Sequence, residues 1–158
     1  MRVALSLARF GQRKIGQAMA MKREAEAMAA GDPELGGHLF DLHVRLASIS
    51  LDQGDAEWAV ALLARAQAER ILLGERVETD EAAELLLTQA RLDHRQGRMA
   101  EAIGHLREAQ ALEPESRRIA ILLAKCLEDD GRARNEAAPV EEARQILSGM
   151  IERAPRSG

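Results

Sequence analysis

Side chains able to hold a metal or move a proton are few in this chain. No two of its four histidines, His38, His43, His94 and His105, stand four residues apart, so no helix face offers two imidazoles to one ion. Cys126 is the single cysteine and lies in the apolar run IAILLAKCLEDD, where it reads as a buried packing residue without an activating partner. A lone cysteine also excludes an internal disulfide and suits a reducing, cytoplasmic compartment. Acidic pairs such as EDD and VEE fit solvated faces and helix ends better than acid–base dyads. In PVEEARQIL, for instance, Pro139 suits a first helical turn, and Glu141 with Glu142 complements the helix dipole. Phosphate-cradling glycine loops and the nucleophile elbow are missing. The sequence therefore predicts no catalytic residue, no metal site and no cofactor.

Charge supplies the next candidates. Residues 1–23 contain Arg2, Arg9, Arg13, Lys14, Lys22 and Arg23 and no acid, although the whole chain carries a formal charge of −4. Such a stretch reads first as a solvated helix face and second as a contact for an anionic membrane surface; nucleic acid is disfavoured. Lysine and arginine break up the amino-terminal apolar residues too often for a secretion signal, and no run is long enough to span a membrane. Arginine outnumbers lysine nineteen to three, and Asn135 is the single asparagine, a bias that suggests a bacterial coding sequence.

The elements that must carry these residues are helices. Ala, Leu, Arg, Glu and Gln dominate, while the aromatic residues are only Phe10, Phe40 and Trp58. A recurring pattern organises the helices. Around Gly97 stand Ala90 seven residues before, then Ala102, Leu106, Ala109 and Pro114 at five, nine, twelve and seventeen residues after. Around Gly54 the same offsets give Ala47, Ala59, Leu63 and Ala66. A third copy has Ala124 before Gly131, with Ala143, Leu147, Met150 and Pro155 displaced by about seven residues, which predicts an insertion between two helices in RARNEAAP. A weak first copy follows Gly16 with Met21, Ala25, Met28 and Pro33. Each unit predicts a helix, a turn at the glycine, and an antiparallel helix. Small residues mark close helix approach, and glycine supplies the positive φ of the turn. A chance alanine pattern in a plain helix bundle is the rival reading.

This pattern resembles the tetratricopeptide repeat family, with about three recognisable repeats and a weak amino-terminal one. The copies cover residues 2–35 (weak), 40–73 with an extension to 82, 83–116, and 117–157 with an inserted turn, in a single domain over 1–158. In the extension, RILLGERVETDE, Gly74 is expected to stop a helix and Thr79 or Asp80 to cap the next. The large residue usual four positions before the turn glycine is replaced by Ser50 and Asp93, and is Leu127 in the third copy. The resemblance implies an all-α fold, a right-handed α-solenoid of stacked antiparallel helix pairs. It also implies a non-catalytic scaffold or adaptor that binds a protein or peptide.

The resemblance further implies a groove lined by the first helix of each pair. Projected onto this chain, it gives Glu84, Leu87, Arg91, His94 and Arg95, then Arg118, Ile121, Lys125, Glu128 and Asp129, with Val44, Ser48 and Asp52 from the copy before. Arg91, Arg95, Arg118 and Lys125 interleave with Leu87 and Ile121 in a basic strip suited to an acidic or amphipathic peptide. Chaperone-binding members clamp a terminal carboxylate with lysine and asparagine. The matching positions here are Val44, Leu87 and Ile121, with Ser48, Arg91 and Lys125, which argues against that ligand. The stripe of Val140, Ile146, Leu147 and Ile151 is expected to lack a cover on its outer side, which self-association, a partner protein or an intact protein longer than this chain would supply. Two other functions stay open: a ligand- or peptide-sensing regulatory domain of a larger system, and a membrane- or nucleic-acid-associated factor using residues 1–23.

Overall fold

The computed structural model describes residues 33–153, together with the single positions Gly16 and Ala20. The described residues are all-α, without a strand. In chain order they form α1 (Pro33–Asp52), α2 (Ala56–Leu73), a 3-10 turn (Gly74–Arg76), α3 (Thr79–Arg95), α4 (Met99–Leu112), α5 (Arg117–Arg134) and α6 (Ala137–Arg153). The basic stretch 1–23 and most of the weak copy 2–35 lie outside the described residues. The chain divides into two compact units after Glu81, within the first turn of α3.

In the first unit α1 and α2 form an antiparallel hairpin. Gly36, near the start of α1, faces the Leu73 side chain at the end of α2, and further along His43 bonds Glu69. The turn follows from Gly54, whose φ of +81° closes the helix with two bonds. The Asp55 N–H donates to the Ser50 carbonyl at 2.8 Å, and the Gly54 N–H donates to Leu51 at 3.0 Å. Asp55 then opens α2, its Oδ1 accepting the Trp58 N–H at 3.3 Å. The small positions marked by the spacing, Ala47, Ala59 and Ala66, are buried with Leu63, Phe40 and Leu62. Gly74, at φ +57°, ends α2 as expected, and the 3-10 turn takes up part of the extra length before α3. Thr79 begins α3 as its first helical residue instead of capping it from outside.

The second unit repeats the device. Gly97 has φ +76°, the Arg98 N–H donates to the Asp93 carbonyl at 2.8 Å, and the Gly97 N–H donates to His94 at 3.1 Å. Ala90, Ala102, Leu106 and Ala109 are fully buried in one cluster with Leu86, Leu87, Ile119, Leu123, Ala124, Cys126, Leu127 and Ala143. That cluster joins α3, α4, α5 and α6. Side-chain bonds show how its hairpins align. Arg118 donates to Glu84, 34 residues earlier, at 2.5 Å; His94 bonds Asp129, 35 residues later, at 3.0 Å. Both join α3 to α5, which therefore run side by side and parallel. Arg107 donates to Glu142 at 2.9 Å, joining α4 to α6.

The last hairpin corrects the expected insertion. Gly131 does not make its turn: α5 continues to Arg134, and Asn135, with φ +56°, takes the left-handed position. The Glu136 N–H donates to the Gly131 carbonyl at 2.8 Å, the same closing bond made at the two earlier turns. The RARNEAAP segment is thus mostly helix. The turn stands four residues later than the expected Gly131, and Ala143 comes three residues later after the turn than Ala102 does after Gly97. Seven residues are about two helical turns, one on each arm, so both apolar stripes keep their facing. Gly131 serves instead as a contact. A Cβ there would lie 2.8 Å from Val140 Cγ2 and 2.9 Å from the Glu136 carbonyl oxygen. Pro139 is the third residue of α6, as a first-turn proline should be, while Glu141 and Glu142 fall just beyond that turn. Pro114 lies between α4 and α5 and not in the first turn of α5, which Ser116 caps through Oγ to the Ile119 N–H at 3.4 Å.

Candidate functional site: the face of α3 and α5

The parallel placement of α3 and α5 brings several expected groove residues together in the second unit and removes one. Leu87 is buried in the cluster shared with α4, α5 and α6, so it packs and does not line a surface; the projection failed because neighbouring helices cover that side of α3. Val44, in the first unit, is buried too. Arg95 and Lys125 are exposed, Arg91 and His94 are half-buried, and Ile121 is an exposed apolar residue.

The strip is less basic than its sequence implies. Arg118 is paired with Glu84, and His94 with Asp129. Glu128 pairs with Arg132 one turn along α5. What remains is a mixed-sign set of side chains, of which Arg95, Lys125 and the apolar Ile121 are exposed. Exposed ion pairs of this kind contribute little to stability, so their carboxylates and guanidiniums can exchange partners at small cost.

Three of the four histidines bond a carboxylate on a neighbouring helix, a role linear spacing did not reveal. His43 Nδ1 lies 2.7 Å from Glu69 Oε2 across α1 and α2. His105 Nδ1 lies 2.7 Å from Asp93 Oδ2 across α4 and α3, and Arg98 reaches Asp93 Oδ1 at 3.3 Å. His94 and Asp129 complete the set. Only the 35-residue separation of that last pair carried a signal, since it matches the step between copies. Asp93 is buried beneath its two partners, which explains how a carboxylate occupies a position where the resembled family places a large residue.

Cys126 lies in the cluster, fully buried. Burial pushes its thiol up to about 11, helped by the neighbouring Asp129 and opposed by Lys125. A thiol so held is a packing group, because the thiolate is the reactive form. Among the described residues, no group of three or more His, Cys, Asp and Glu side chains is arranged to hold a metal ion, and no helix is long and apolar enough to cross a membrane. A cleft of about 270 Å³ lies where the end of α4, the start of α5 and the later part of α6 meet. Its lining mixes Gln110, Glu115 and Arg117 with Ala120, Ile146 and Met150. No family model, curated protein or solved structure matches the chain.

Proposed function

We propose that the chain is a short tetratricopeptide-like α-solenoid that acts as a non-catalytic adaptor, holding a protein or peptide partner against the exposed strip of α3 and α5. The observation that carries this reading is the parallel, side-by-side seating of α3 and α5, held by Glu84–Arg118 and His94–Asp129. First helices of neighbouring hairpins lie parallel in this way in a stacked helix–turn–helix array. The identical closing bonds at Gly54, Gly97 and Asn135 support it further.

Such an array binds by presenting side chains from successive helices along one face. Here Arg91, His94 and Arg95 from α3 and Arg118, Ile121 and Lys125 from α5 make up that face. An acidic or amphipathic segment suits it: carboxylates can approach Arg95 and Lys125, and an apolar side chain can cover Ile121.

The test is affinity capture by the intact chain at native expression level, with chemical cross-linking to map the contact. The double variant Arg91→Glu/Arg95→Glu should recover at least about tenfold less partner at an unchanged melting temperature, as loss of central charged contacts does. Unchanged recovery would remove the strip from the binding surface, and the absence of any stoichiometric partner would refute the adaptor reading.

A further inference from the structure

The cleft where α4, α5 and α6 meet shares no residue with the strip of α3 and α5, and its walls carry both signs of charge. Glu115 and Arg117 flank Ser116, the cap of α5, and both line the cleft. Neither is held in an ion pair among the described residues, although Arg107, Arg118, Arg132 and Arg134 of the same unit each have an acid. Gln110 on α4 and Gln145 on α6 line the cleft too, and among the described residues their amides make no side-chain hydrogen bond. The cleft thus gathers a cation, an anion and two amides that the fold itself does not use.

Ala120, Ile146 and Met150 give the same cleft an apolar side, with Ile146 packed against the core cluster. Gly149 lines it from inside α6, where glycine is less favourable than alanine. A Cβ there would meet no atom within 4 Å, so packing within the protein does not require glycine, and the missing side chain leaves room. At about 270 Å³ the cleft lies just below the roughly 300–1,000 Å³ of drug-sized ligand sites, which limits an occupant to a small molecule. A lone carboxylate would satisfy Arg117 but meet Glu115, and a lone amine would do the reverse. A zwitterion suits both. We propose that the cleft binds a free aliphatic α-amino acid, its carboxylate toward Arg117, its ammonium toward Glu115 and its side chain on Ile146 and Met150. The amides of Gln110 and Gln145 supply further hydrogen bonds to either charged group. This goes beyond the adaptor reading, since it gives the chain a small-molecule ligand away from the strip.

The probe is L-leucine, titrated into the intact chain and followed by amide NMR shifts. Saturable shifts are expected at residues of the cleft, with a Kd below about 10 mM. Isocaproate, which is leucine without its ammonium, and isopentylamine, which is leucine without its carboxylate, should each bind at least about tenfold more weakly. Arg117→Gln should weaken leucine at least about tenfold and leave isopentylamine unchanged; Glu115→Gln should weaken leucine equally and leave isocaproate unchanged. Both variants replace exposed side chains and should keep the wild-type circular dichroism and melting temperature. The Arg91→Glu/Arg95→Glu variant should bind leucine normally, so failure of the strip and failure of the cleft are distinguishable. The proposal is overturned by a Kd for leucine above about 10 mM, by binding of isocaproate or isopentylamine as tightly as leucine, or by undiminished leucine binding to Arg117→Gln or Glu115→Gln.

Discussion

Asp93 is 2% exposed and keeps its charge partners close, with His105 on one oxygen and Arg98 on the other. Together with His43–Glu69 and His94–Asp129 it makes three of the four histidines links between helices. Cys126 offers the clearest test at this scale. Its thiol, pushed from 9.0 to about 11 by burial, holds its proton in the folded chain over a range where the unfolded chain releases it. The shift is upward, so stability is complete below about pH 9, falls as the pH rises, and stops falling above about pH 11. The loss is at most about 3 kcal/mol, two units at 1.36 kcal/mol each. With no tyrosine and three lysines in the chain, few other groups titrate in that window. Urea unfolding should therefore show a shallower alkaline decline for Cys126→Ala than for wild type; parallel declines would rule out the buried thiol as the cause.

Two glycines with opposite surroundings test the packing of the elements. Both Gly131 and Gly104 sit inside helices, where alanine gains about 0.5–1 kcal/mol in helix propensity. At Gly104 a Cβ meets nothing within 4 Å, so Gly104→Ala should raise stability by about that amount. At Gly131 the new methyl would meet Val140 and a backbone carbonyl below 3.0 Å, and Pro139 Cβ at 3.3 Å. The clash outweighs the propensity, and Gly131→Ala should lower stability by about 1–3 kcal/mol on thermal denaturation. A neutral result at Gly131 would mean that α5 and α6 separate easily, against the added helical turn on each arm. The turns themselves were legible in the sequence, since Gly54 and Gly97 sit where a positive φ is needed. The third was not. Asparagine tolerates the left-handed region well enough to replace glycine there, and Gly131 drew attention to the wrong position.

At the scale of the molecule, each unit has its own buried residues, and in the second a single cluster ties four helices together. Elements that leave more apolar surface exposed open at lower free energy. Hydrogen exchange should therefore find the slowest amides in α3, α4 and α5, with α6 opening at lower free energy because Leu147 and Ile151 are exposed. Greater protection in α6 than in α4 would contradict this order. Composition and spacing by themselves determined the all-α class, the helix boundaries near Gly54, Gly74 and Gly97, and the small residues that end up buried. All of these depend on local backbone preference or on a period along one helix. Tertiary structure alone decided that Leu87 is core while Ile121 is surface, that Glu84 and Asp129 offset the cations of the strip, and that His43, His94 and His105 bridge helices. Those outcomes depend on which helix lies across a given face, and identical spacings in two copies read the same in sequence whether or not a neighbour covers them.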